Sequence, residues 1–181
     1  MRRLKPLRST LALTAIATGL VLAMASASPV AHAQAKRVQT PYQQPKAVFD
    51  FYLDHPDRIG AALFWLRSFM NPLTDAPYSL LPEDMSVVVV IHGTELVTLA
   101  RKNEARYADA VQRMRYYASQ GVRFRVCGLA LSDFGYRVDE LQGFVEVAPS
   151  AMTELVHWQN QGHGLITPVV TEKKVATEDI R

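Results

Sequence analysis

Two residues stand where chemistry is expected. Cys127 ends the run Val122-Arg123-Phe124-Arg125-Val126-Cys127, and His92 follows Ser86-Val87-Val88-Val89-Val90-Ile91. A thiolate is a nucleophile, and an imidazole beside it can take the thiol proton or hold the thiolate as an ion pair. A helix starting just after Cys127 would aim the N–H groups of Gly128, Leu129 and Ala130 at the sulfur and favour its anion. Arg123 and Arg125 share strand parity with Cys127 and would add positive potential. On residue types alone Cys127 has two readings, a low-pKa nucleophile or a small buried hydrophobe. His92 also has two, a proton acceptor or a side chain bonded to loop backbone. Gly93 allows a tight turn or the close approach of an anion. Thr94 is a candidate helix cap, and Glu95 suits a helix N-terminus in any protein.

Other chemistries find less support. A single cysteine excludes an intramolecular disulfide framework and every CxxC motif. His55, His157 and His163 lie in turns or near a helix end, and no histidine pair has the HxxxH spacing of a metal site. A metal held by His92, Cys127 and one remote ligand is a minor alternative. No GxGxxG, Walker loop or GxSxG occurs, and no organic cofactor is implied.

The elements that must carry these residues alternate. Ala47–Leu53 is a short apolar run that reads as a strand, ended by Asp54-His55-Pro56-Asp57. Ile59, Leu63, Leu66 and Met70 fall at helical spacing, with Ala62, Trp65 and Phe69 as a second apolar row. So wide an apolar surface suggests burial on two sides, by the core and by another subunit. Asn71-Pro72 is expected to stop this helix. Ser86–Ile91 is β-branched without alternation, the mark of a strand covered on both faces. A helix is expected from about Glu95 to Ser119, with Tyr107, Val111, Met114 and Ala118 on one face and Gly121 ending it. Val122–Cys127 is a strand, Gly128–Phe134 a short helix or turn closed by Gly135, and Phe144–Val147 another strand. Ser150 caps a helix through Gln159, Gly162 ends it, and Leu165-Ile166 is a last strand. Strands alternating with helices predict an α/β sandwich with a mostly parallel sheet. Ligands gather outside the carboxyl ends of such strands, where Cys127 and His92 both lie.

The first 33 residues read as an address. Arg2, Arg3, Lys5 and Arg8 precede an apolar stretch from Leu11 to Ala25, and Ala31-His32-Ala33 fits a small-x-small cleavage site. This is the pattern of a secretory signal peptide cleaved after Ala33, leaving a periplasmic or secreted protein with no membrane span. Residues 34–46 read as a flexible lead-in, 47–168 as the folded domain and 169–181 as a polar tail. The chain of 181 residues carries 20 basic and 17 acidic side chains, a formal +3. The signal takes four of those bases and no acid, leaving 16 against 17. The charge argument for nucleic acid goes with the signal. An exported protein meets an oxidising compartment where an idle thiol is a liability, which tilts Cys127 towards function.

The segments Val87–Gly93, Gly121–Gly128 and Val145–Ser150, with the later Glu154-Leu155, Gln159 and Gly162, resemble the DsrE/DsrF-like family. The likeness runs over about residues 47–168. It implies a three-layer α/β/α sandwich with about five strands, and homo-oligomers or hetero-oligomers with related subunits. It also implies a sulfurtransferase or sulfur carrier in which a cysteine after the middle strand holds sulfane sulfur as a persulfide. Cys127 matches that cysteine, Ala130 and Gly135 match the small residue and glycine after it, and His92 matches a histidine of the exported branch. The expected function is therefore sulfur handling. Cys127 accepts sulfur from a donor protein or small sulfur compound, His92 moves its proton, and Gly93, Arg125 and Gly128 hold the substrate. The alternative is an oligomeric binding module with Cys127 as core.

Overall fold

Five short strands line up in parallel, and the two most apolar, Lys46–Phe51 and Ser86–Ile91, are covered on both faces. The computed structural model describes residues 34–181; the proposed signal segment and its cleavage site lie outside them. The strands are β1 (Lys46–Phe51), β2 (Ser86–Ile91), β3 (Arg123–Cys127), β4 (Val145–Ala148) and β5 (Gly164–Ile166). Their order is β4-β3-β2-β1-β5, and every pairing is parallel. Val87 to Ile91 of β2 are buried, as an unalternating valine run at the centre of a covered sheet should be.

Helices α1 (Ile59–Thr74) and α2 (Ala108–Ser119) join the core on one face. Phe49, Phe51, Val89, Ile91, Phe124 and Val126 pack there with Leu63, Leu66, Val111 and Met114. Helix α4 (Ala151–Asn160) covers the other face, where Val48, Val88, Val90 and Cys127 meet Ala151, Leu155 and Trp158. The result is the three-layer α/β/α sandwich. Its short helix α3 (Gly128–Asp133) follows β3 directly. Each fully buried large apolar side chain is worth about 1.5–3 kcal/mol.

The local chemistry at several element ends is as expected. Ser150 Oγ accepts the Thr153 N–H at 3.2 Å and caps α4. Gly121, Gly135 and Gly162, each just past a helix, have φ of 85°, 70° and 84°, the left-handed conformation that glycine tolerates at helix ends.

Three expectations need correction. Helix α1 does not stop at Asn71-Pro72 but runs on to Thr74. Pro72 removes one N–H, but Leu73 in the next residue is buried, and its packing holds the last turn in place. The single helix expected over Glu95–Ser119 is instead two 3-10 turns, Thr94–Leu99 and Arg101–Asn103, followed by α2. Between the turns Ala100 is extended and bridges Leu141, and the Asn103 amide donates to Val97 O, so the backbone is held by other partners. Thr94 caps nothing; its hydroxyl donates to Leu53 O at 2.9 Å.

The outer row of α1 is half covered. Ala62 is buried, Phe69 packs partly buried against the core, and Trp65 is 39% exposed in the single chain, with Phe64 beside it at 57%. Among the described residues no helix is long and apolar enough to cross a membrane.

Candidate functional site

Three adjacent strands deliver three reactive side chains to one face at their carboxyl ends. The register pairs Asp50 with Val90 and Ile91 with Val126. His92, one residue past β2, therefore stands next to Cys127, with neighbouring strands about 4.8 Å apart. Alternation puts Asp50, His92 and Cys127 on the face of Val48, Val88 and Val90. His92 Nε2 lies 2.7 Å from Asp50 Oδ1. A carboxylate can only accept, so Nε2 carries a proton, and in the neutral ring Nδ1 keeps its lone pair. The Tyr52 ring stacks on the imidazole, 4.9 Å between centroids and 23° between planes. Thr167 donates to the second oxygen of Asp50 at 3.4 Å. The result is a base whose tautomer and ring plane are both fixed.

Asp50 is the partner that sequence reasoning missed. A charged residue inside the apolar run Ala47–Leu53 is costly unless paired, and that was the available signal. The partner itself depends on which strand lies beside β1.

Gly93 explains itself through Glu95. The Glu95 carboxylate is fully buried and accepts two backbone N–H groups, Gly93 and Leu53, each at 2.9 Å. A Cβ on Gly93 would sit 2.4 Å from Leu53 N and 2.5 Å from Glu95 Oε2. The close anion is thus the protein's own. Burial pushes the Glu95 carboxyl above its usual range, and the N–H donors of Gly93 and Leu53 pull the other way. This clamp ties the segment after β1 to the turn after β2, and both carry the site.

Cys127 occupies the N-cap of α3, and its Sγ accepts the Ala130 N–H at 3.5 Å. It is 7% exposed and packs among Val48, Val88, Val90 and Ala130. A Cβ on Gly128 would stand 2.9 Å from Ala148 O, so the glycine lets α3 start tight against the end of β4.

Arg125 is placed away from this group. It shares the face of Cys127 but pairs with Glu146, and its Nε lies 3.9 Å from Glu154 Oε2. Glu154 also accepts the Trp158 indole N–H at 2.9 Å. Arg125 is therefore neutralised under α4, and its buried Nε has no hydrogen-bond partner among the described residues. Arg123 lies over the Trp158 ring at 5.2 Å.

A cavity of about 450 Å³ opens at the same edge. His92, Gly93, Tyr52, Ala130, Asp133 and Phe134 are among its walls. Cys127 and Arg125 are not, but Ala130, the donor to the sulfur, is shared. The structure thus gathers His92, Gly93, Gly128 and Cys127 at one edge and leaves Arg125 out. His163 is elsewhere, at the amino end of the sheet, between Trp158 O at 3.0 Å and Ser86 Oγ at 2.9 Å. Burial holds its imidazole below the usual histidine range. Among the described residues, no three His, Cys, Asp or Glu side chains are grouped to hold a metal ion.

No curated protein matches the chain. A solved structure that does is the protein of unknown function MTH1491 from Methanobacterium thermoautotrophicum, 26% identical with a TM-score of 0.55. The match covers 69% of this chain and 100% of that one. The family model of the DsrE/DsrF-like family matches residues 46–168, from the first residue of β1 to beyond β5. The chain belongs to the DsrE/DsrF-like family.

Proposed function

We propose that this is an exported sulfur-handling protein in which Cys127 accepts sulfane sulfur as a persulfide and passes it on. Membership of the DsrE/DsrF-like family points to a fold of the sulfur-relay type. The observation that carries the proposal is the neighbourhood of Cys127. Its sulfur receives a helix N–H, and the next strand presents a histidine already fixed by a carboxylate.

The step balances without an oxidant. The Cys127 thiol gives its proton to His92 Nδ1, and the thiolate attacks the outer sulfur of a donor persulfide. The new S–S bond forms as the donor's S–S bond breaks. The donor thiolate leaves with that electron pair and takes the proton back from His92. Asp50 holds the imidazolium in between, which is the usual work of a carboxylate behind a catalytic histidine. Delivery to an acceptor thiol is the same exchange in reverse.

Intact-mass measurement after treatment with a persulfide donor tests it. One added sulfur is expected on the native chain and none on Cys127→Ser. Equal gain in both, or none in either, refutes it. The pattern Met1–Ala33 supports export. Protein recovered from outside the cytoplasm should begin at Gln34, and an N-terminus that retains Met1 refutes cleavage.

One observation favours a second reading, an oligomeric binding module with Cys127 as core. Cys127 is 7% exposed among aliphatic side chains, while Phe64 and Trp65 on α1 are open to solvent. A thiol reagent separates the two. A carrier thiol reacts in the native state at mild pH, and a core thiol only after denaturation.

A further inference from the structure

We infer that the cavity beside His92 binds a small thiol or persulfide carrying an ammonium group. For its sulfur chemistry this rests on the proposed function; for its binding it rests on the cavity alone. The volume, about 450 Å³, falls within the range of small-molecule sites.

The walls choose the charge. The backbone donors nearest His92 are spent inside the protein: Gly93 N and Leu53 N on Glu95, and Thr94 N on Leu53 O. The Ala130 N–H is spent on Cys127. Arg58, the guanidinium in the wall, pairs with Asp54 at 3.4 Å and donates to Val170 O at 3.3 Å. An anion would therefore find the donors nearest His92 spent and the Arg58 cation already matched by Asp54.

Asp133 is different. It lines the cavity from its solvent-exposed side, and among the described residues it has no ion-pair or hydrogen-bond partner. It is also the last residue of α3, and the C-terminal end of a helix is where a carboxylate is least favoured. Phe134 and Tyr52, 41% and 71% exposed, supply aromatic surface around the same space. An unpaired carboxylate beside aromatic rings is the chemistry that holds an ammonium group. A donor such as cysteamine persulfide would then sit in the cavity with its ammonium at Asp133. Its outer sulfur passes to Cys127 and cysteamine leaves as the free thiol, by the exchange already balanced.

The test uses the full chain carrying Cys127→Ser and three probes of similar size: cysteamine, 2-mercaptoethanol and 3-mercaptopropionate. NMR titration follows the Tyr52 and His92 rings. Cysteamine should bind about fivefold more tightly than the neutral probe, the upper end of what one exposed ion pair gives, and the acid should bind most weakly. Asp133→Asn should erase the preference. Equal affinities, or a preference that survives Asp133→Asn, overturn the inference. Sulfur loading of the native chain separates it from the proposed function. Cysteamine binding without loading from any donor upholds the cavity and overturns sulfur transfer. Loading from thiosulfate with no cysteamine preference does the opposite.

Discussion

Glu95→Gln removes one negative charge from the interior and changes almost no volume. In the native chain each Glu95 oxygen accepts one backbone N–H, from Leu53 and from Gly93, at 2.9 Å. Glutamine offers one acceptor. Its amide nitrogen must then face the other N–H, donor against donor, with no water to intervene because the side chain is fully buried. Leaving one buried N–H unpaired costs about 1–3 kcal/mol. Relief from burying a charge offsets part of that. A net loss of about 2 kcal/mol is expected at neutral pH. Urea unfolding reads it as a midpoint lower by about 1 M, with the slope unchanged. The pH dependence gives a second reading. Burial raises the folded-state pKa of Glu95 above its ordinary value. The native chain therefore holds this contribution fully below the unfolded pKa and loses it as pH rises through the folded value. The gap between native and variant should be wider in acid than at neutral pH. A variant as stable as the native chain refutes the clamp, and a gap that widens as pH rises refutes the burial-raised pKa.

Gly93→Ala must push a methyl against Leu53 N and the Glu95 carboxylate; a loss of about 3 kcal/mol is expected in the same urea assay, and a loss under 1 kcal/mol would mean the turn moves freely. Asp50→Asn keeps the volume but no longer fixes the tautomer of His92. The rate of sulfur loading on Cys127 should fall by at least tenfold at neutral pH with stability changed far less, and an unchanged rate removes His92 and Asp50 from the chemistry. His163 has its folded pKa lowered by burial, so its contribution is present above the unfolded pKa and is lost as pH falls through the folded one. Thermal unfolding scanned from pH 7.5 to 5 should show a decline that His163→Gln makes shallower.

What could be read in the sequence was whatever depends on near neighbours along the chain. The valine run of β2, the Ser150 cap and the glycines after α2 and α4 each act within a few residues, and each is where the pattern puts it. The placement of Cys127 and His92 on one edge needed only that β2 and β3 be adjacent, which they are. The misses share a different cause. Pro72 lies inside α1 because Leu73 is buried across the chain. Asp50 finds His92, and Arg125 finds Glu146 and Glu154, through pairings that strand order decides and local spacing does not. Parity alone made Arg125 look like a positive neighbour of the sulfur. The two glutamates on β4 and α4 cancel it.

The burial of Cys127 and the proposed chemistry pull in opposite directions only if the thiol must react as it stands. Cys127 packs among aliphatic side chains, and the one hydrogen-bond donor at its sulfur among the described residues is the Ala130 N–H. The same pocket protects a persulfide once formed, because its inner sulfur is shut away from a second thiol. An S–S bond is about 2.05 Å long, so in the proposed persulfide the outer sulfur would lie one bond beyond the buried position. Helix α3 has six residues and begins with glycine, and Ala130 belongs both to the sulfur and to the cavity wall. A donor in the cavity therefore meets the first turn of α3 before it meets the thiol. The turn that caps the sulfur therefore also stands between the cavity and the thiol.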